Sequence, residues 1–169
     1  MEMDLSAFFT MSYGLYVVSA ADGETRAGCL INTAVQVTAE PPRLMVAVNK
    51  DNVTAGVIER SGAFAVTALD NTADMPYLGN FGFRTSSNYD KFEKYGSRVT
   101  ELGSPYCPEH ACAVFSCKLI DTVDVGTHYL FVGEVAGAER LSDAEPLTYG
   151  YYHTVLKGKT PPKASSYQG

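Results

Sequence analysis

The chain has 169 residues, with 13 lysines and arginines against 19 aspartates and glutamates, a formal net charge of −6, 11 tyrosines, 8 phenylalanines and no tryptophan. A chain of this length forms one domain that buries roughly 70% of its unfolded surface, so neither a disulfide framework nor a structural metal is needed to hold it together. The acidic balance excludes partners bound through a broad positive field, nucleic acid and anionic membrane surfaces among them, and leaves any anion to be held by local groups.

Met1 to Ser6 lacks a basic segment leading into a long apolar run, so no signal peptide is read there, and no uncharged stretch is long enough to span a bilayer. Tyr13 to Ser19 is aromatic and β-branched and runs into Ala21-Asp22-Gly23-Glu24, the pattern of a strand and hairpin turn. Arg26 to Thr38 mixes small, polar and β-branched residues and reads as a second strand, stopped by Glu40-Pro41-Pro42. Arg43 to Asn49 is nearly continuous in apolar residues, as a buried third strand requires. Thr54 to Ser61 has helical spacing, with Thr54 as the expected N-cap and Gly62 as the stop. Ala63 to Leu69 is a further strand, and Asp70 to Tyr77 the start of a short helix.

Asn80 to Gly96 is polar, aromatic and too long for an ordinary connection, which marks it as a functional loop. Ala111 to Asp121 and Thr127 to Glu139 flank Asp124-Val125-Gly126 and predict a long hairpin. Six or seven strands, two or three short helices and no regular β-α alternation give a mainly β protein, a closed or partly closed barrel. Residues 1–156 form the domain, and 157–169 an extended tail expected to pack on something else, a partner subunit above all.

Cys107, His110, Cys112 and Cys117 lie close together, but no Cys-x-x-Cys knuckle occurs and Cys112 and Cys117 fall on opposite faces of any strand, so no metal site is read. With Cys29 they are expected to be free thiols in a reducing cytoplasm. No Gly-x-Ser-x-Gly elbow, Gly-x-Gly-x-x-Gly loop or Walker-type loop is present. What remains is Asn49-Lys50-Asp51-Asn52-Val53-Thr54, where a strand end turns into the best-marked helix. Backbone N–H groups, an amide, a hydroxyl and a lysine meet there, a constellation suited to an anion or to an ordinary cap. Phe81-Gly82-Phe83-Arg84-Thr85-Ser86-Ser87 with Lys91 adds cations and hydroxyls beside aromatic rings, as a planar phosphorylated ligand or a solvated loop would use.

Gly28-Cys-Leu-Ile-Asn32-Thr33, Val37-Thr38, Pro41-Pro42 and the strand Leu44 to Asn49 leading to Thr54 resemble the opening signature of the flavin reductase-like, FMN-binding split-barrel family. Asn80 to Phe92 is similar to that family's loop ending in Lys-Phe, and Gly126-Thr-His128 with Gly133-Glu134-Val135 to its Gly-Asp-His…Gly-Glu-Val segment. Pro146 to Pro161 looks like the subgroup of flavoredoxins and rubredoxin-fused flavin reductases, although no Cys-x-x-Cys follows.

The resemblance implies a homodimer of six-stranded antiparallel Greek-key split barrels binding FMN near the subunit interface. The flavin ring would meet Leu30, Ile31, Asn32 and Thr33, with leucine at position 30 where relatives often have threonine. The phosphate would meet Asn49, Lys50, Asn52 and Thr54, with Phe81, Gly82, Arg84 and Lys91 completing the pocket. His128 would act as the orienting catalytic residue near the nicotinamide, and Tyr152 and His153 would lie at the rim or serve the partner subunit. The implied reaction moves hydride from NADH or NADPH to the flavin and passes electrons to an acceptor. The alternative is a flavoredoxin-like carrier that keeps its FMN and serves a rubredoxin or diflavin protein.

Overall fold

In the computed structural model, which describes residues 1–167, a 3-10 turn at Leu5–Thr10 precedes the first hairpin. This hairpin joins β1 (Tyr16–Ala21) to β2 (Arg26–Ile31). Asp22 closes its turn by accepting from the Thr25 N–H at 2.9 Å, and Gly23 takes the positive φ of 92° that the turn demands. The stretch read as one strand, Arg26 to Thr38, is two. It breaks at Asn32-Thr33, and β3 (Ala34–Ala39) continues on the other side.

That break brings the main sheet to seven strands, the upper of the two counts read from the sequence and one more than the resemblance implies, ordered β2-β1-β5-β8-β9-β4-β3. Its remaining members are β4 (Pro42–Asn49), β5 (Ala63–Leu69), β8 (Ala111–Asp124) and β9 (His128–Arg140), and all its pairings are antiparallel. The two short strands β6 (Arg98–Val99) and β7 (Pro105–Tyr106) pair separately. β2 and β3 lie at opposite edges of the sheet, yet only Asn32 and Thr33 join them. The sheet must therefore roll until its edges nearly meet, giving a barrel split along the β2–β3 seam.

Side-chain alternation explains what fills the barrel. Val18 and Ala20 of β1, Cys29 and Ile31 of β2, and Val46 and Val48 of β4 gather inside with Phe64, Val66, Cys117 and Phe131. Helix α1 (Val53–Ser61) closes one end by adding Ala55, Val57 and Ile58 to the same cluster. Burying each of these larger side chains contributes about 1.5–3 kcal/mol. Val17 and Leu30 alternate outward, into a second cluster with Tyr77, Leu78, Phe81, Phe92 and Tyr152. The first hairpin is therefore buried on both faces.

The cap of α1 is Asn52 rather than Thr54: the Asn52 carboxamide oxygen accepts from the Thr54 N–H at 3.1 Å, which frees the Thr54 hydroxyl. Gly62 ends the helix as expected, in the left-handed region at φ 68°. The next helix, α2 (Met75–Gly82), starts later than expected, capped by Asp74. Asp70 is instead occupied with its own turn, accepting from the Thr72 N–H at 2.8 Å.

After α3 (Tyr149–Thr154) the tail returns across its own domain instead of reaching away from it. Among the described residues no helix is long and apolar enough to cross a membrane.

Candidate flavin site

Rolling the sheet brings three separate stretches of chain to one place. The β2–β3 corner is tied to β4 by the Ala47 N–H donating to the Thr33 carbonyl at 3.1 Å, and Asn49 at the end of β4 pairs in register with His128 at the start of β9. A cleft of about 340 Å³ opens there. Leu30 and Ile31 line it from β2 and Asn32 from the corner that follows, Asn49 and Asn52 from the β4–α1 junction, and Phe81, Gly82 and Arg84 from the end of α2 and the loop beyond. Thr33 does not line it; its hydroxyl donates to the Asn32 carboxamide oxygen at 3.1 Å, and the residue lines the neighbouring cavity beside β3.

The cations expected around a phosphate are distributed differently. Lys50 turns toward the β8–β9 hairpin, where it pairs with Asp124 and sits 5.0 Å over the Tyr129 ring, so it does not line the cleft. Lys91 is buried, its ammonium donating to the Gly28 carbonyl at 2.7 Å and the Phe81 carbonyl at 3.0 Å. The expectation that it opposes a ligand charge therefore gives way to a structural role, fastening the loop to β2. Burial pulls its pKa down to about 8. Arg84 lines the cleft with its guanidinium 4.5 Å over Tyr89.

Thr54 is fully buried at the start of α1, and its hydroxyl has no hydrogen-bond partner among the described residues. The Cys29 thiol lines the cleft, with the Thr54 hydroxyl as its neighbour. His128 is buried, with Nδ1 2.8 Å from the Thr127 hydroxyl and Nε2 3.1 Å from the Lys163 carbonyl. A carbonyl only accepts, so Nε2 carries a proton. Tyr152 and His153 sit behind the site: the Tyr152 hydroxyl donates to the Lys159 carbonyl at 2.7 Å, and His153 Nδ1 meets the Gly158 carbonyl at 2.9 Å.

Residues 8–157 match the flavin reductase like domain family. The chain belongs to that family. It is 44% identical over 165 residues to the ferric-chelate reductase (NAD(P)H) of Archaeoglobus fulgidus, covering 98% of each chain. It is 38% identical to the high molecular weight rubredoxin of Moorella thermoacetica, covering 98% of this chain and 72% of that protein. Among solved structures, the NADH:FAD oxidoreductase of Streptomyces globisporus C-1027 superposes with a TM-score of 0.77 at 25% identity over 84% of each chain.

One wall of this flavin reductase cleft was not read from the sequence. Pro161, Pro162, Lys163, Ala164 and Ser165 of the tail line it. Lys157-Gly-Lys-Thr-Pro-Pro-Lys163 concentrates cations in an otherwise acidic chain. That concentration was the available signal, but nothing local says where such a segment docks.

Proposed function

We propose that the cleft binds FMN, with the ring against Leu30, Ile31 and Asn32 and the phosphate at the β4–α1 junction. The start of α1 carries this reading: Asn52 and Val53 bring it to the cleft, where unpaired backbone N–H groups and the positive end of the helix favour an anion, with the buried Thr54 hydroxyl in the helix's first turn. The neutral donors of Asn49 and Asn52 and the guanidinium of Arg84 fit the same group.

The chain is an NAD(P)H-dependent flavin reductase. When bound, FMN supplies the redox chemistry, taking hydride from NADH or NADPH and releasing electrons to an acceptor. The protein's part is to bind, orient and exclude water. His128, held at both nitrogens, is suited to an orienting role. Burial pushes the Cys29 thiol pKa up, so the cleft floor offers no competing thiolate.

A flavoredoxin-like electron carrier with tightly held FMN is the second reading, favoured by the rubredoxin named in the Moorella relative. A rubredoxin or diflavin protein is then the acceptor. The exposed β3 edge, with Val35 and Val37 facing solvent beside an apolar cavity of about 900 Å³, supports a homodimer.

Purified protein is expected to carry, or to be stabilised by, FMN. A colourless protein whose melting temperature ignores added FMN would refute the site. Stopped-flow mixing of the FMN-loaded protein with NADH and with NADPH separates the two readings. Fast bleaching marks a reductase, whereas slow bleaching followed by fast oxidation by a rubredoxin marks a carrier.

A further inference from the structure

We propose that the C-terminal segment from Pro161 to Ser166 is a working wall of the flavin site and that Lys163 supplies the cation facing the FMN phosphate. This inference rests on the FMN reading above and adds to it a residue outside the matched domain, residues 8–157.

The first argument is a count of cations. A phosphate dianion is held best where donors are charged, and two of the four basic residues around the site are already engaged elsewhere. Lys50 is paired with Asp124, and Lys91 is buried on two carbonyls. The basic residues that line the cleft are Arg84, on the loop side, and Lys163, on the α1 side. Lys163 Nζ donates to the Asp51 carbonyl at 3.2 Å, just before the N-cap of α1. An ammonium has three donors, and that bond uses one. Lys163 lines the same cleft as Cys29, Leu30 and Ile31.

The second argument is that the segment is held along its length. Ser165 Oγ lies 2.8 Å from the Thr33 hydroxyl and donates to the Asn32 carboxamide oxygen at 3.3 Å. Asn32 Nδ2 donates to Ser166 Oγ at 2.5 Å, and His128 Nε2 donates to the Lys163 carbonyl. Upstream, the Tyr149 hydroxyl bonds to Thr160, and Gly158 passes so close to the Tyr152 ring that any larger residue would collide with it. The path of the segment is fixed at both ends, and it crosses the β2 corner assigned to the flavin ring.

The same contacts would suit a plug that competes with flavin, and the sign of a substitution distinguishes the two. In the full-length chain stripped of flavin, FMN and riboflavin are titrated by fluorescence quenching. Lys163→Ala should weaken FMN about tenfold or more, leave riboflavin unchanged within about twofold, and flatten the salt dependence of FMN binding. Lys163→Arg should restore most of the loss, and Ser165→Ala with Ser166→Ala should speed FMN release. Unchanged or tighter FMN binding by Lys163→Ala overturns the proposal while leaving the FMN site standing. Failure of the unsubstituted chain to bind either flavin overturns both. Lys163 is exposed, so its replacement leaves the fold intact.

Discussion

Lys50 and Thr54 lie on the same junction, yet the fold assigns them opposite duties. The lysine looks outward to Asp124 and the threonine inward with nothing to bond. Thr54→Val, which keeps the shape and removes the hydroxyl, should therefore weaken FMN about tenfold, the worth of one hydrogen bond to a charged group. Lys50→Ala should change it by less than about twofold. A fluorescence titration showing the reverse order would move the phosphate away from α1. Lys91 makes a second test at this scale. Its folded pKa of about 8 lies below the ordinary 10.5, so between those values the unfolded chain binds the extra proton. Stability from this group therefore rises as pH climbs from 8 toward 10.5, by at most about 1.4 kcal/mol per pH unit. The neutral amine keeps two N–H groups, enough for the Gly28 and Phe81 carbonyls. The buried thiols work against it: Cys107 and Cys117 are pushed up to about 12, so their contribution is lost as pH rises above 9. The window from pH 8 to 9 is the clean one. Melting curves of wild type and Lys91→Met should diverge in slope there, and parallel curves would show that Lys91 is not depressed. Sequence singled out Lys50, Thr54 and Lys91 because charge and hydroxyl types are visible in it. It misassigned Lys50 and Lys91 because the direction of a long flexible side chain is decided by tertiary neighbours, here Asp124 and the carbonyls of Gly28 and Phe81.

The loop from Asn80 to Gly96 shows how an element is anchored. It covers the exposed edge of β2, where Ser86 Oγ lies 3.3 Å from the Gly28 N–H, Lys91 takes the Gly28 carbonyl, and Arg26 pairs with Asp90. Phe92 closes the contact by lying where a Cβ on Gly28 would sit, 2.7 Å away. Gly133 in β9 is tighter still. A Cβ there would come within 2.6 Å of the Phe64 ring and 2.7 Å of Cys117 Cβ, both fully buried in the barrel. Gly28→Ala presses on the far end of the Phe92 ring alone, so it should cost about 1–3 kcal/mol. Gly133→Ala is squeezed from two sides and should cost more, with a melting temperature lower than that of Gly28→Ala by several degrees. An equal or opposite ranking by calorimetry would mean that β9 yields where the geometry says it cannot. The β8–β9 hairpin was legible because long β-branched runs flank a Gly-containing turn. The seam between β2 and β3 was not, because Asn32-Thr33 carries neither glycine nor proline and the residues on both sides have the same mixed character. The change of direction there is imposed by closure of the barrel, which no local signal encodes.

For the molecule as a whole, the unresolved tension is the β3 edge. Most of its residues are exposed, and Val35 and Val37 present apolar surface on a strand with unpaired backbone groups. Natural sheets rarely leave such an edge open, since it invites pairing with another chain. Beside it, Tyr13 to Tyr16, Leu44, Val66, Phe115 and Leu147 line the cavity of about 900 Å³. On the homodimer proposed above, a second copy of the chain would cover this surface, because a self-complementary interface covers the edge in both subunits at once. The consequence reaches the flavin site through Asn32, which lines both this cavity and the cleft, and which also holds Ser165 and Ser166. A partner seated on β3 would brace the β2–β3 corner from one side while the C-terminal segment braces it from the other. Val35→Glu places a charge in the centre of that face without touching the barrel interior. It should convert the protein from dimer to monomer in light scattering and weaken FMN in parallel, while the far-UV spectrum stays unchanged. A monomeric wild type would remove the dimer. A monomeric Val35→Glu that binds FMN with full affinity would show that the corner is rigid without its partner, and that the cleft is complete within one chain.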